Sequence, residues 1–356
     1  MNASVSRVRR SSRLTNSLGL GDKFFSTAEE RRVADSVESG LDAVEARLIS
    51  DMEFADELAD VTSRYLLDAG GKRVRPTLTL LTAQLGNGVS DDVITAASAL
   101  EITHLASLYH DDVMDEANMR RGVPSAQSVW GNSVAILTGD LLFARASRLV
   151  ASLGEKAIKM QVDTFERLCL GQLHETIGPR KGEDPVEHYL KVLGDKTGSL
   201  IATAARMGLV FSNAPAELER PVEEFGEKIG VAFQLVDDII DLSSAVDTTG
   251  KTPGTDLRAG VSTLPVLYLQ QLAETDKDAA RLYERVRPEV ASAHDSDDPE
   301  FTDAIAELRE HPVTRRTLDE AHRWADEAVA ALAIVPAGPV KKALTRFAES
   351  IIERSS

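Results

Sequence analysis

EITHLASLYHDDVMDEANMRRG, residues 101–122, decides how the rest of the chain is read. It holds three aspartates, Asp111, Asp112 and Asp115, with Arg120 and Arg121 close behind. As a helix, this stretch puts Asp111 and Asp115 one turn apart on one face, with Asp112 about 100° to the side. Such a cluster is unfavourable by itself. Two carboxylates roughly 4 Å apart repel by about 4 kcal/mol at an effective dielectric near 20. Hard divalent cations take clustered carboxylate oxygens, and guanidinium forks match phosphate oxygens. A single acidic run is more often a solvated helix face. Here a second copy stands downstream: FQLVDDIIDLSS repeats the DDxxD spacing with Asp237, Asp238 and Asp241. Both clusters have apolar neighbours (Val113 and Met114, Ile239 and Ile240), unlike a solvated face. The expectation is two acidic helices that face each other across a cavity and share metal ions.

Around the first cluster, Val93, Ala97, Leu100, His104, Leu108, Asp111 and Asp115 recur at steps of three and four, one stripe running from apolar residues into acids. His104 shares this face about 10 Å along the axis from Asp111, which favours a polar role. Upstream, a helical pattern from Ala28 to Leu67 ends at Asp68-Ala-Gly-Gly. Gly70-Gly-Lys-Arg-Val-Arg-Pro76 then leads into a helix expected from Thr77 to about Leu85. Lys72, Arg73 and Arg75 lie beside that helix start, where an anion fits.

Downstream, Pro124 and Ser125 open a helical region reaching Leu153, and Gln161 to Ile177 follows with Cys169, Gln172 and Glu175. Cys169 reads as a packed apolar residue. Lys191 to Ser212 reads as one helix, with Lys196 and Thr197 in its first turns and a small face at Ala202, Ala205 and Gly208. Pro221 to Leu242 carries the second cluster, with Gln234 one turn before Asp237 and Asp238. The loop Ser243 to Gly260 holds Lys251, Gly254 and Asp256 and has no periodicity. An acidic stretch from Ala293 to Glu300 precedes C-terminal helical segments, Thr317 to Ile334 and Val340 to Ile352 among them. With no period-2 alternation and no βαβ rhythm, the fold expected is all-α, a single large helical bundle.

A net charge of −17 over 356 residues argues against nucleic acid or anionic membrane as a bulk-charge partner. No apolar run approaches the roughly 20 residues of a membrane span. The one cysteine allows no disulfide within the chain and suits a reducing cytoplasm. Arg7, Arg9, Arg10 and Arg13 make the first stretch basic, and it lacks the apolar core of a secretory signal. Residues 1–27 are therefore expected to form a disordered tail, an organellar transit peptide of similar composition being the alternative, and residues 28–356 the helical domain.

GGKRVRP, HDDVMDEANMRRG, GDKTGS, FQLVDDIID and GKTPGTD, in this order, resemble the trans-isoprenyl diphosphate synthase family over roughly Gly70 to Pro265. The stretch around Asp111 is most similar to the long-chain polyprenyl diphosphate synthases. The resemblance implies the isoprenoid synthase type of fold, an all-α bundle around a deep central cavity, usually as a homodimer. It implies Mg²⁺ on Asp111, Asp112 and Asp115 from one side and on Asp237, Asp238 and Asp241 from the other. It gives Arg120, Lys196, Thr197 and Gln234 to the allylic substrate, with Lys251 on its diphosphate. It gives Lys72, Arg75, His104 and Arg121 to isopentenyl diphosphate. The chemistry implied is head-to-tail condensation, repeated to a long product that membrane enzymes then use. Small residues before Asp111 (Thr103, Ala106 and Ser107) leave room for a tail, and Tyr109 lies about 200° around the helix from Asp111. The expected product is therefore longer than geranylgeranyl diphosphate.

One departure stands out. Val261 occupies a position where the family often has lysine, in Gly260-Val-Ser-Thr-Leu-Pro. The alternatives are a short-chain synthase making geranylgeranyl or farnesyl diphosphate, or the catalytic subunit of a heteromeric synthase. From a different class, a class I terpene cyclase would use the same ionisation but normally carries an acid–Asn–Ser metal motif in place of the second DDxxD. A phosphohydrolase built on His110-Asp111 would need further histidine and aspartate ligands, and the other histidines show no matching arrangement.

Overall fold

The computed structural model describes residues 27–243, 253–291 and 298–355. The basic tail up to residue 26, Lys251, and residues 293–297 of the acidic stretch lie outside them. The described chain is all-α apart from one short hairpin of two-residue strands. Its helices group into two compact units, one with the described residues up to Leu168 plus Ser199–Glu227 and Ala328–Ser350, the other with Cys169–Gly198, Lys228–Glu327 and Ile351–Ser356.

In the first unit, α1 (Ala28–Asp51) starts at a capping box: Glu30 N–H donates to the Thr27 hydroxyl, and Thr27 N–H to the Glu30 carboxylate. It buries Val37, Leu41, Val44 and Leu48, as their spacing requires. The helical region expected to reach Leu67 consists of two helices. The chain leaves α1 at Met52 and restarts as α2 (Glu57–Asp68), because the Asp56 carboxylate accepts from Ala59 N–H at 2.9 Å. α3 (Val74–Ala83) begins three residues earlier than expected. Arg73 precedes it in the left-handed conformation, and Pro76 falls in the first turn, where its missing N–H is not needed.

α4 (Asp91–Met114) begins at Ser90, whose hydroxyl accepts from Val93 N–H. The one-stripe reading of this helix is too narrow. Ala96, Ala99, Ile102, Leu105 and Tyr109, on its other faces, are buried as well, so α4 is a central helix enclosed all round. It packs on α6 (Asn132–Ser152), which Gly131, at φ 82°, separates from the short α5 (Ala126–Trp130). α7 (Glu155–Ile177) follows; Cys169 on it is exposed, not packed as expected, because it shares the outward face with Leu170. α9 (Ser199–Phe211) packs on α3 at Gly208: a Cβ there would stand 2.0 Å from the Thr79 carbonyl oxygen.

In the second unit, α8 (Pro185–Leu193) runs into a π-turn at Gly194–Gly198 before α9. The sequence reads Lys191 to Ser212 as one helix; the structure divides it there, so Lys196 and Thr197 sit in the π-turn. α10 (Glu219–Asp241) carries the second acidic cluster. The short α11 (Thr255–Arg258) follows, then α12 (Leu264–Ala273), which packs on α8 and on α13 (Lys277–Val286). α14 (Pro288–Ala291), α15 (Pro299–Glu310), α16 (Pro312–Ala331) and α17 (Pro339–Ile352) complete the chain. α7, α10, α16 and α17 each give residues to both units. No described helix is long and apolar enough to cross a membrane.

Candidate active site

Both acidic clusters stand at helix C-termini. α4 ends at Met114 with Asp115 as its cap, whose N–H donates to the Asp111 carbonyl at 2.8 Å; α10 ends at Asp241. Neither helix has a basic residue in its last turn. Negative charge there adds to the negative end of the helix dipole, so stability alone does not explain it.

Asp112 is fully buried. Arg120 Nε donates to its Oδ1 at 2.6 Å, while Oδ2 is buried with no hydrogen-bond partner. Burial pushes the Asp112 carboxyl above its usual range, and Arg120 opposes the shift. A buried carboxylate oxygen without a donor suits a cation. A hairpin aims Arg120: Met119–Arg120 pairs with Val123–Pro124 around Arg121 and Gly122, both at positive φ. The same turn sends Arg121 towards the loop at Gly70, where its Nη1 donates to the carbonyls of Leu66 (2.8 Å) and Gly70.

That loop and α4 gather Arg75, His104 and Arg121 around the buried Glu101, with Lys72 exposed beside them. Arg75 is pulled down to about 10 by burial; Glu101 opposes this and Arg121 adds to it. Its Nε is buried with no hydrogen-bond partner, a donor ready for an anion. Burial, then the charges of Arg75, Arg121, Arg120 and Arg73, holds His104 well below the ordinary histidine value. The ring is therefore neutral in the folded chain near neutral pH.

The sign of the linkage follows. An unfolded histidine gains its proton near pH 6.5, and folded His104 does so only at lower pH. Below about pH 6.5 the unfolded chain binds more protons, so this residue costs stability as pH falls towards its folded value. His104→Gln is expected to lose less melting temperature than the parent between pH 7.5 and 5.5, read by calorimetry. Parallel losses would refute the assignment.

Towards the N-terminus of α4, Ala106 is fully buried and Thr103 nearly so, while Ser107 stays partly accessible and donates to the His104 carbonyl. Tyr109 points to α2, with its hydroxyl donating to the Thr62 carbonyl and accepting from Leu66 N–H at 3.3 Å.

In the second unit, Asp238 is buried, and Tyr189 donates its hydroxyl to Oδ2 at 2.7 Å. Burial holds Asp238 well above the usual carboxylate range, with the Tyr189 hydrogen bond opposing. Asp241 Oδ2 accepts from Asp256 N–H at 3.1 Å. Arg354, near the chain's end, donates to Asp237 Oδ1 at 2.7 Å and lies 4.5 Å over the Phe233 ring. Lys196 donates to Glu175, and the Thr197 hydroxyl stands 3.5 Å from Gln234 Oε1. Gly230 lets α10 approach the π-turn closely: a Cβ there would meet Gly198 Cα at 2.6 Å.

Among the described residues, no three carboxylate, imidazole or thiolate groups are drawn together as a metal centre. Asp112 meets Arg120, Asp238 meets Tyr189 and Asp237 meets Arg354. Sequence reasoning gave no role to Glu45, Glu101, Glu175, Tyr189 or Arg354. Glu175 and Glu101 stand in the quoted stretches, and a paired cation was the signal that would have marked them. For Arg354, so far along the chain from Asp237, there was none.

A family model described as polyprenyl synthetase matches residues 56–297. Nonaprenyl diphosphate synthase of Mycobacterium tuberculosis is 44% identical over 94% of this chain and 96% of its own length. Among solved structures, the polyprenyl synthase of Caulobacter crescentus, complexed with calcium and isoprenyl diphosphate, superposes with a TM-score of 0.82 at 29% identity, covering 93% of this chain and all of that one. Geranylgeranyl pyrophosphate synthase of Corynebacterium glutamicum, complexed with the same two ligands, gives 0.77 at 40% identity over 91% of this chain and 98% of its own.

Proposed function

The chain belongs to the polyprenyl synthetase family, and on that premise we propose that it makes trans-polyprenyl diphosphates longer than geranylgeranyl diphosphate by adding isopentenyl diphosphate to an allylic diphosphate. The observation that carries this reading is the cluster of Arg75, Arg121 and the neutral His104 at α4, the helix that carries Asp111 and Asp112 in its last turn. It offers an unpaired buried donor to one phosphate-bearing substrate and an unpaired buried acceptor to a cation. The family model spans segments of both units, which supports residues 28–356 as one catalytic domain with residues 1–27 as a tail.

Lys72, Arg75, His104 and Arg121 bind the diphosphate of isopentenyl diphosphate. Arg120, Lys196, Thr197 and Gln234 orient the allylic substrate, and Lys251 joins them on its diphosphate. Asp111, Asp112, Asp115, Asp237, Asp238 and Asp241 would hold Mg²⁺, which supplies Lewis-acid neutralisation of the departing diphosphate. The buried oxygen of Asp112 fits such an ion, and two of the solved relatives hold calcium. As the allylic C–O bond breaks, the oxygens of Gln234 and Thr197 face the cation formed. The isopentenyl double bond supplies the electron pair of the new C–C bond, and the proton lost goes to the released diphosphate. No side chain in the cluster is placed as a base: His104 is neutral but hemmed in by arginines.

The test is mass analysis of products from the purified chain with Mg²⁺, farnesyl diphosphate and isopentenyl diphosphate. Long-chain diphosphates are expected. A product stopping at geranylgeranyl length would favour the activity of the Corynebacterium relative. Phosphate release without C–C bond formation would refute the reading, and activity only with a second protein would mark a heteromeric subunit.

Homodimer formation belongs to the same proposal. Ile136, Leu137 and Leu141 on α6 and Ile158, Val162 and Phe165 on α7 are exposed, and Phe165 stacks edge-on to Phe143 of α6, so the two rows adjoin. An apolar face of this kind calls for a partner, and a second copy fits the family. Leu137→Glu with Val162→Glu is expected to turn a dimer into a monomer by light scattering; an unchanged mass would remove this interface. A cytoplasmic enzyme whose product passes to membrane enzymes completes the reading.

A further inference from the structure

We propose that Arg73 is the positioning residue for the isopentenyl diphosphate side of the site, acting with Glu45 and Glu101; this rests on the functional reading above. Arg73 is the largest fully buried side chain in the described structure. Its Nε donates to Glu45, and its Nη1 to Glu101 and to the Gly70 carbonyl, both at 3.1 Å. A fold gains little from an arginine set between two buried acids, since apolar side chains of similar volume serve as well or better. What the arrangement provides is location.

The Gly70 carbonyl accepts from both Arg73 and Arg121. A Cβ on Gly71, which lies at φ 142°, would stand 2.5 Å from Arg73 Nη1 and 3.0 Å from Arg121 Cζ, so the two guanidinium groups close over a position only glycine fills. Glu101 bonds Arg73 directly and acts through space on Arg75 and Arg121. Neither Arg75 nor Arg121 makes an ion pair of its own with a described carboxylate. Both buried acids bond Arg73, and the two cations beside it are kept in place yet open to an anion. Arg73 itself touches no substrate; it acts through the loop that carries Lys72 and Arg75 and through the carbonyl that holds Arg121.

Arg73→Lys tests this, because a single ammonium keeps the charge but cannot span Glu45, Glu101 and Gly70 as the planar fork does. The KM for isopentenyl diphosphate, and its Kd by calorimetry with no allylic substrate present, are expected to rise about tenfold. The KM for the allylic substrate and kcat should stay within about twofold of the parent, less than half the free energy of a tenfold change. A residue that only stabilises the fold would move both substrates together or neither. Where Arg73→Lys does not fold, Glu45→Gln removes only the outer acid and is expected to weaken isopentenyl diphosphate about threefold. Unchanged isopentenyl affinity, or equal loss for both substrates, overturns the proposal. A parent protein that does not bind isopentenyl diphosphate in the same titration would instead sink the functional reading, and this inference with it.

Discussion

Asp115→Asn is expected to lower kcat/KM by about a hundred- to a thousandfold, the effect of losing several kcal/mol of charge stabilisation around a departing diphosphate, while leaving the unliganded protein as stable as before or more so. Asp115 is exposed, caps α4, and makes no ion pair with a described residue. Its charge sits one turn from Asp111, at the negative end of a helix without a basic last turn. Removing it relieves like-charge repulsion and an unfavourable dipole contact, together worth roughly 0.5–1 kcal/mol. In a protein of this size that raises the melting temperature by a few degrees at most, about 2–4 °C per kcal/mol. Opposite signs in activity and stability mark a residue kept for function. The assay is turnover of labelled isopentenyl diphosphate at saturating Mg²⁺, beside calorimetry without ligand. An active variant would remove Asp115 from the metal ligands; one that loses stability along with activity would make the acid structural.

Local chemistry was the part the sequence stated clearly. Apolar spacing located the long helices but entered α8 only at Lys191 and read α11 as loop, and the small residues of α9 announced two close approaches that the structure contains, Gly208 to α3 and Ala202 to Gly226 of α10. Boundaries were harder, because they depend on single side chains. Asp56 starts a new helix where the periodicity alone continues, and Arg73 takes a left-handed backbone that few sequences signal. The π-turn at Gly194–Gly198 depends on close packing against Gly230 and Gly171, which no local pattern encodes. In the proposed site, the charged residues assigned to ligands are those that the motifs single out. The residues that hold them were not: Glu45, Tyr189 and Arg354 are ordinary surface types by sequence, and only the fold brings them to Arg73, Asp238 and Asp237. Cys169 shows the same limit reversed, since apolar neighbours suggested burial and the helix turned that row outward.

Ser107→Phe is expected to shorten the product to about geranylgeranyl length. Ser107 lies one turn, about 6 Å, before Asp111 on the same face of α4. On the reading above, the growing tail leaves the diphosphate held at Asp111 and passes this position first. Ala106→Phe is the less informative change. Ala106 is fully buried, and its carbonyl faces Gly139 of α6, where even a methyl would stand 3.2 Å away. Phenylalanine there overpacks the α4–α6 contact and costs about 1–3 kcal/mol or more, so short products would be confounded with damage. Ser107 is partly accessible, and its hydroxyl makes only a local bond to the His104 carbonyl, a bond worth about 1 kcal/mol. Tyr109 cannot be the natural stop, because its ring is buried towards α2 and its hydroxyl is tied to the Thr62 carbonyl. The readout is the chain-length distribution at equal extents of isopentenyl diphosphate consumption, with the melting temperature followed alongside. A folded Ser107→Phe enzyme giving the parent's distribution would show that the tail takes another route, and the expectation of a long product would then have to rest on the family alone.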